Sequence, residues 1–209
     1  MVGDGMKALH KDFWMEIRKS KARFISIFLI VALGVAFFSG IQASSPDMRY
    51  SGDAYYEAAK LMDLKIQGTL GLTQRDVKAV SDIDGVELAE GGYSTDVMSG
   101  EDDARKVLHL ESISSNFNLL TADEGRIPEK SGEIFLDKPF AKNRGYKIGD
   151  TISVNEDGDS ELLKKTTYTV VGIGSSPLYI SFNRGNTTLG SGEISGFGYI
   201  LPEDFDQEA

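Results

Sequence analysis

Residues 24–41, FISIFLIVALGVAFFSGI, run for eighteen positions without a charged side chain. As a helix rising 1.5 Å per residue the stretch is about 27 Å long, close to the ~30 Å hydrocarbon core of a bilayer. Arg18, Lys19, Lys21 and Arg23 crowd its N-terminal side, while Ser44, Ser45, Pro46 and Asp47 follow its other end. Basic residues are retained preferentially on the cytoplasmic side of a membrane. The sequence therefore predicts a cytoplasmic entry segment over 1–23, a transmembrane helix over 24–43, and an extracytoplasmic domain over 44–209. A cleaved signal peptide is the rival reading, because Ile41-Gln42-Ala43 loosely satisfies a small-residue cleavage rule. The apolar run exceeds the 7–15 residues usual for such peptides, which favours retention as an anchor.

Charge divides the chain at the same place. Residues 1–43 carry six basic side chains (Lys7, Lys11, Arg18, Lys19, Lys21, Arg23) against Asp4, Asp12 and Glu16, a net of +3; the whole chain carries −10, so the remainder carries −13. An acidic domain of this kind repels phosphate backbones, which argues against a nucleic-acid partner. The chain has no cysteine, which removes disulfides, thiolate metal sites and a cysteine nucleophile. An exported domain without disulfides favours a bacterial source.

Ahead of the apolar run, Leu9, Phe13 and Ile17 share one helical face with Trp14 beside them, and Lys11, Arg18, Lys19 and Lys21 supply the polar remainder. This is the pattern of an amphipathic helix lying among lipid headgroups. Either a mobile elbow or a plain topogenic anchor fits it.

Beyond a polar stretch containing Tyr55 and Tyr56, the pattern is mixed α and β. Leu64-Lys65-Ile66-Gln67 alternates as a strand would. Thr73 offers an N-cap with Asp76 as its capping-box partner, Leu72 and Val77 sit at the staple positions, and Val77, Val80 and Ile83 recur along one side until Gly85. With a return strand over 86–98 this predicts a β-α-β unit, its helix covering Leu64 and Ile66. Strands are expected at 132–136, 151–154 and 167–173, a helical turn at 140–144 closed by Gly145, and a hairpin tip at Asp157-Gly158. The glycine-rich stretch from Ser175 to Gly198 reads as irregular, with Tyr199-Ile200-Leu201 as a last strand.

No catalytic constellation emerges. His10 and His109 fall on opposite sides of the membrane in this topology, and His109 within Val107-Leu108-His109-Leu110 reads as a solvent-facing strand residue. Asn155, Asp157, Asp159 and Glu161 superficially suggest a calcium loop, but the required glycine spacing is missing and a polar hairpin tip explains them. Gly185, Gly190, Gly192, Gly196 and Gly198 do not fit a dinucleotide fingerprint, and no GxxxxGK[ST] motif is present. Glu101, Asp102, Asp103, Arg105 and Lys106 read as a solvated loop. The sequence thus predicts no catalytic, cofactor-binding or metal-binding residues, no cofactor and no enzyme.

The ordered segments KDFWMEIRKSKARFISIFLIVALGVAFFSGI, LMDLKIQGTLGLTQRDVKAVSDIDGVE, GRIPEKSGEIFLDKPFAKNRGYKIGDTISV and YTVVGIGSSPLYIS together resemble the N-terminal part of FtsX/MacB-like ABC transporter permeases. The resemblance spans Lys7 to Phe205, and RKSKARFISIFLIVALGVAFFSGI suggests the large Gram-positive type. It implies an α+β fold: one N-terminal transmembrane helix followed by an extracytoplasmic mixed α/β domain of the MacB periplasmic-core type. It also implies mechanotransmission, in which a separate ABC ATPase subunit works inside the cell and its motion is passed outward for export or release of a lipid, lipoprotein or peptide. The implied surroundings are the lipids of a bacterial cell membrane, with the N-terminus cytoplasmic. No second apolar run of membrane length follows Ile41, so the outer domain is expected to be cut off at Ala209 before its return to the membrane. The alternative is a single-pass surface protein whose outer domain binds a ligand or partner without transport; a secreted enzyme is disfavoured by the missing catalytic residues.

Overall fold

The computed structural model describes residues 3–69, 71–100, 105–156, 162–181 and 183–206, with side chains from His10 onward. The chain divides into two compact units, Met1–Tyr55 and Tyr56–Ala209.

The first unit is helical. Helix α1 spans Gly3–Lys19 and helix α2 spans Lys21–Ala58, separated only by Ser20. In α1, Phe13 and Trp14 are exposed at 60% and 65%. None of the α2 side chains is buried, and the helix is long and apolar enough to cross a membrane. Its 38 residues correspond to about 57 Å, roughly twice what a hydrocarbon core requires. The helix does not stop at residue 43, where the transmembrane segment was expected to end. Proline costs its helix one backbone hydrogen bond without compelling it to stop, and Pro46 lies within the unbroken α2. The Ser44 hydroxyl donates to the Gly40 carbonyl at 2.9 Å.

The second unit is built on seven strands: β1 Ser94–Ser99, β2 Lys106–Ser112, β3 Thr121–Gly125, β4 Glu133–Asp137, β5 Thr151–Asn155, β6 Thr167–Ser175 and β7 Ile194–Ile200. Hydrogen bonding follows the order β3-β6-β4-β7-β2-β1-β5, and β5 pairs also with β6. Six strands thus form a closed ring, with β3 added to the far half of β6, along residues 172–175. The pairs β2–β7 and β4–β6 are parallel and the others antiparallel.

Alternation along each strand sorts side chains to the inside or outside of the ring. Val97, Leu108, Leu110, Ile134, Leu136, Ile152, Val154, Tyr168, Val170 and Ile200 pack together in the main core. Helix α4, Lys138–Arg144, brings Phe140 and Ala141 to this core and ends at Gly145, whose φ of 78° is the left-handed conformation a helix terminus favours. Leu163 and Phe205 form a bridge that joins the same core, and Phe205 stacks on Tyr93 at 5.6 Å. On the other surface of the strands, Phe135, Phe197 and Tyr199 form a second, smaller cluster with Ile113, Leu120, Ile127 and Tyr179.

The expected β-α-β unit is only one-third present. Helix α3, Gln74–Ser81, has the full reciprocal capping box between Thr73 and Asp76. Residues 64–67 are not a strand, however, and Leu64 and Ile66 are 83% and 57% exposed. The return strand begins only at Ser94. Val77 and Val80 are half-buried and Ile83 is exposed, so α3 buries no residue fully. A strand needs a partner edge, and residues 64–67 pair with no strand among the described residues. The last strand also differs, since β7 starts at Ile194 and runs through Gly196 and Gly198. A Cβ at Gly196 would lie 2.5 Å from Phe140 Cβ, and one at Gly198 would lie 2.9 Å from Leu110 Cδ2. These glycines admit core side chains rather than breaking the strand. The tip at Asp157-Gly158, most of the calcium-like loop and Glu101, Asp102 and Asp103 lie outside the described residues.

Candidate functional site: the helix exit and its polar anchor

Helix α2 leaves through a left-handed turn. Lys60 N–H donates to the Glu57 carbonyl at 3.1 Å, Leu61 N–H reaches back to Tyr56 at 3.0 Å, and Lys60 has φ 49°. This is the paired-bond helix stop that usually carries glycine, here carrying lysine. The carbonyls of Ala59 and Lys60 accept from Leu119 and Asn118 N–H at 2.8 and 2.9 Å, and Met62 N–H donates to Asn118 Oδ1 at 3.1 Å. Asn118 itself has φ 52°, a conformation asparagine tolerates better than most residues. The exit is therefore stitched to the 117–119 loop by backbone bonds.

Three residues further on, Lys65 reaches a polar cluster on the outer surface of β1, β2 and β7. Its Nζ lies 2.9 Å from Glu111 Oε1, and His109 Nε2 lies 3.5 Å from the same oxygen. On its other side His109 presents Nδ1 to Asp96 Oδ1 at 2.5 Å. Register places Asp96 directly opposite His109 in the β1–β2 pair, which sets this contact. The Tyr199 hydroxyl donates to Glu111 Oε2 at 2.8 Å. Its oxygen therefore accepts from the Ser176 hydroxyl, also 2.8 Å away, because an ionised carboxylate only accepts. The chain order along the surface is Asp96, His109, Glu111, then Lys65 or Tyr199.

Aromatic rings wall this cluster. Tyr179 meets His109 edge-on at 6.3 Å and stacks on Phe197 at 4.6 Å. Arg184 lies over Phe197 at 5.5 Å and forks onto Asp137 with two 3.0 Å bonds.

Burial opposes ionisation of Glu111, but His109, Lys65 and Tyr199 outweigh it and hold the carboxyl at about 2. Burial likewise disfavours the His109 imidazolium, yet bonds and charge from Glu111 and Asp96 lift it above its ordinary 6.5. Burial and the Glu111 charge push the Tyr199 phenol up. The arrangement suits a salt-bridged fastening. It does not suit a metal ion, because Asp96 and Glu111 address opposite ring nitrogens, and no group of three metal-binding side chains exists among the described residues.

His109 is therefore not the solvent-facing strand residue expected; its side chain is 18% exposed and held between two acids. His10 lies in the other unit. Glu111, Asp96, Lys65, Tyr199 and Arg184 were not singled out from sequence. Alternation alone would have placed His109 and Glu111 on one face of β2, but only the fold supplies Lys65 from 46 positions away.

A family model described as the MacB-like periplasmic core domain matches residues 24–205. No curated protein matches the chain in sequence. Among solved structures, the extracellular domain of the noncanonic ABC-type transporter YknZ from Gram-positive bacteria is similar at 13% identity, with a TM-score of 0.41. That alignment covers 64% of each chain, so this chain spans about two-thirds of the solved domain. The match over residues 24–205 places the chain in the family of MacB-like periplasmic core domains.

Proposed function

We propose that the chain is the N-terminal part of an ABC transporter permease, passing motion generated by a separate ATPase subunit to a domain outside the membrane. In this reading residues 1–23 are the cytoplasmic entry, 24–43 cross the membrane and 44–209 form the extracytoplasmic part. The exposed Phe13 and Trp14 of α1 sit among lipid headgroups, and the six basic residues before Ala43 hold the N-terminus inside. The substrate class is a lipid, lipoprotein or peptide handled at the outer leaflet.

Family membership supports the setting. The single observation that carries the reading is the continuity of α2, which runs from Lys21 through the apolar span to Ala58 and ends at a turn bonded to residues 118 and 119. A displacement of the helix would be felt first at that turn. Cleavage after Ala43 would cut inside α2, which supports an anchor over a signal peptide.

The test is purification from native membranes. The protein carrying this chain is expected to copurify with an ATPase subunit, and reporters fused after Gln42 and Gly100 are expected to read as outside. Recovery of a released protein beginning at Ser44 overturns the anchor, and recovery without any ATPase favours a single-pass binding protein.

A further inference from the structure

Lys65 Nζ and His109 Nε2 converge on one atom, Glu111 Oε1, at 2.9 and 3.5 Å, while Tyr199 occupies Oε2. Two cations drawn to one oxygen attract it and repel each other. When the ring is neutral, Lys65 is the sole cation of the pair on Oε1. When the ring is protonated, His109 satisfies both Asp96 and Glu111, and Lys65 faces a like charge across the shared atom. We propose that Glu111 is a proton-gated latch, in which protonation of His109 releases Lys65 and frees residues 63–66, the segment beyond the bonded exit of α2, from the outer surface of the sheet.

The segment has little else to hold it at that point. Leu64 and Ile66 are 83% and 57% exposed, and the backbone bonds of the exit stop at Met62. Lys65 is thus the most distal anchor of the exit. The titratable and charged groups around the ring, among the described residues, are Asp96 on β1, Glu111 on β2, Tyr199 on β7, Tyr179 and Arg184 between β6 and β7, and Lys65. Arg184 is committed to Asp137, and both phenols are pushed up, by burial first and then by Glu111, so they stay neutral. Glu111 remains ionised down to about pH 2. His109 is the member of this group whose ordinary value, 6.5, lies nearest neutrality; burial would lower it, but bonds and charge from Glu111 and Asp96 raise it. The latch belongs to the folded domain itself and holds whether or not the permease proposal stands.

The chain contains no cysteine, so Leu64→Cys gives a single labelling site on the full chain in detergent. The measurement is the mobility of a nitroxide at that position between pH 8 and pH 5.5. Mobility is expected to rise several-fold on acidification with His109 present, to stay low at both values in His109→Gln, and to be high at both in Lys65→Met. Asp96→Asn keeps the ring and removes one carboxylate that favours its protonation, so it should move the midpoint to lower pH. Mobility that does not change with pH, a His109→Gln protein that still responds, or an unmoved midpoint in Asp96→Asn overturns the latch.

Discussion

Arg184 and Asp137 meet in a two-bond fork, Nε to Oδ2 and Nη2 to Oδ1, each 3.0 Å, although 47 positions separate them. The side chains are only 10% and 1% exposed. Arg184 also donates to the carbonyls of Tyr179 and Ser181, so one guanidinium fastens residues 179–181 to the end of β4. Removing one partner leaves the other charged and buried. Asp137→Ala is expected to destabilise the domain by about 3–5 kcal/mol. Arg184→Lys keeps the charge but loses the fork, and should recover only part of the loss. Urea denaturation of the two variants checks this; equal stability of Asp137→Ala and wild type would refute the fork's role.

A second prediction concerns the attachment of β3 to β6. A Cβ at Gly172 would lie 2.1 Å from the Arg126 carbonyl oxygen, and one at Gly174 would lie 2.0 Å from that of Thr121. The obstacles are backbone atoms of the segment paired with β6, so neither can swing aside as a side-chain end could. Gly174→Ala is expected to push β3 off and cost about 1–3 kcal/mol. Gly52→Ala in α2, with nothing within 4 Å of the new methyl, should instead favour its helix by up to about 1 kcal/mol. Thermal melts of both variants separate crowding from propensity, and equal signs would contradict the argument.

Local chemistry made part of this fold legible in the sequence. The Thr73–Asp76 box, the Gly145 stop and the strands at 133–137, 151–155 and 167–175 are written in neighbouring residues, and each appears. The errors fall where a distant partner decides. Leu64 to Gln67 alternates but pairs with no strand, whereas Thr121–Gly125 is polar, exposed throughout, and a strand because β6 offers an edge. Gly196 and Gly198 read as breakers until Phe140 and Leu110 occupy the space they leave. The same limit hid the polar anchor, since His109 and Glu111 are two positions apart but Lys65 and Tyr199 reach them only through tertiary packing.

The third prediction follows from the exposure of α3. Val80 is half-buried on a helix with no fully buried residue, so Val80→Asp should not unfold the barrel as a charge placed in the main core would. Thr73→Ala removes a cap worth about 1 kcal/mol. Both changes are expected to fray α3 locally, raising amide exchange at Asp76 and Val77 while the amides of β2 and β7 stay protected. Global unfolding by Val80→Asp would mean that α3 is integral to the barrel core.

The fourth prediction is a two-sided pH profile. Glu111 has a lowered value in the folded state, so its contribution is in full above its ordinary 4.5 and is lost as the pH falls towards about 2. The difference corresponds to about 3 kcal/mol as an order of magnitude. His109 has a raised value, so its contribution is in full below its ordinary 6.5 and is lost as the pH rises through the higher folded value. Stability owed to this pair therefore peaks between about pH 4.5 and 6.5 and declines on both sides. Glu111→Gln should flatten the acid limb, and His109→Gln should flatten the alkaline limb while leaving most of the acid one. The profile is measured as urea midpoint against pH. An alkaline limb that survives His109→Gln would assign that limb to another group. The sheet gains from imidazolium at the same pH at which Lys65 loses its place on Glu111, so global stability and the hold on residues 63–66 should move in opposite directions on acidification.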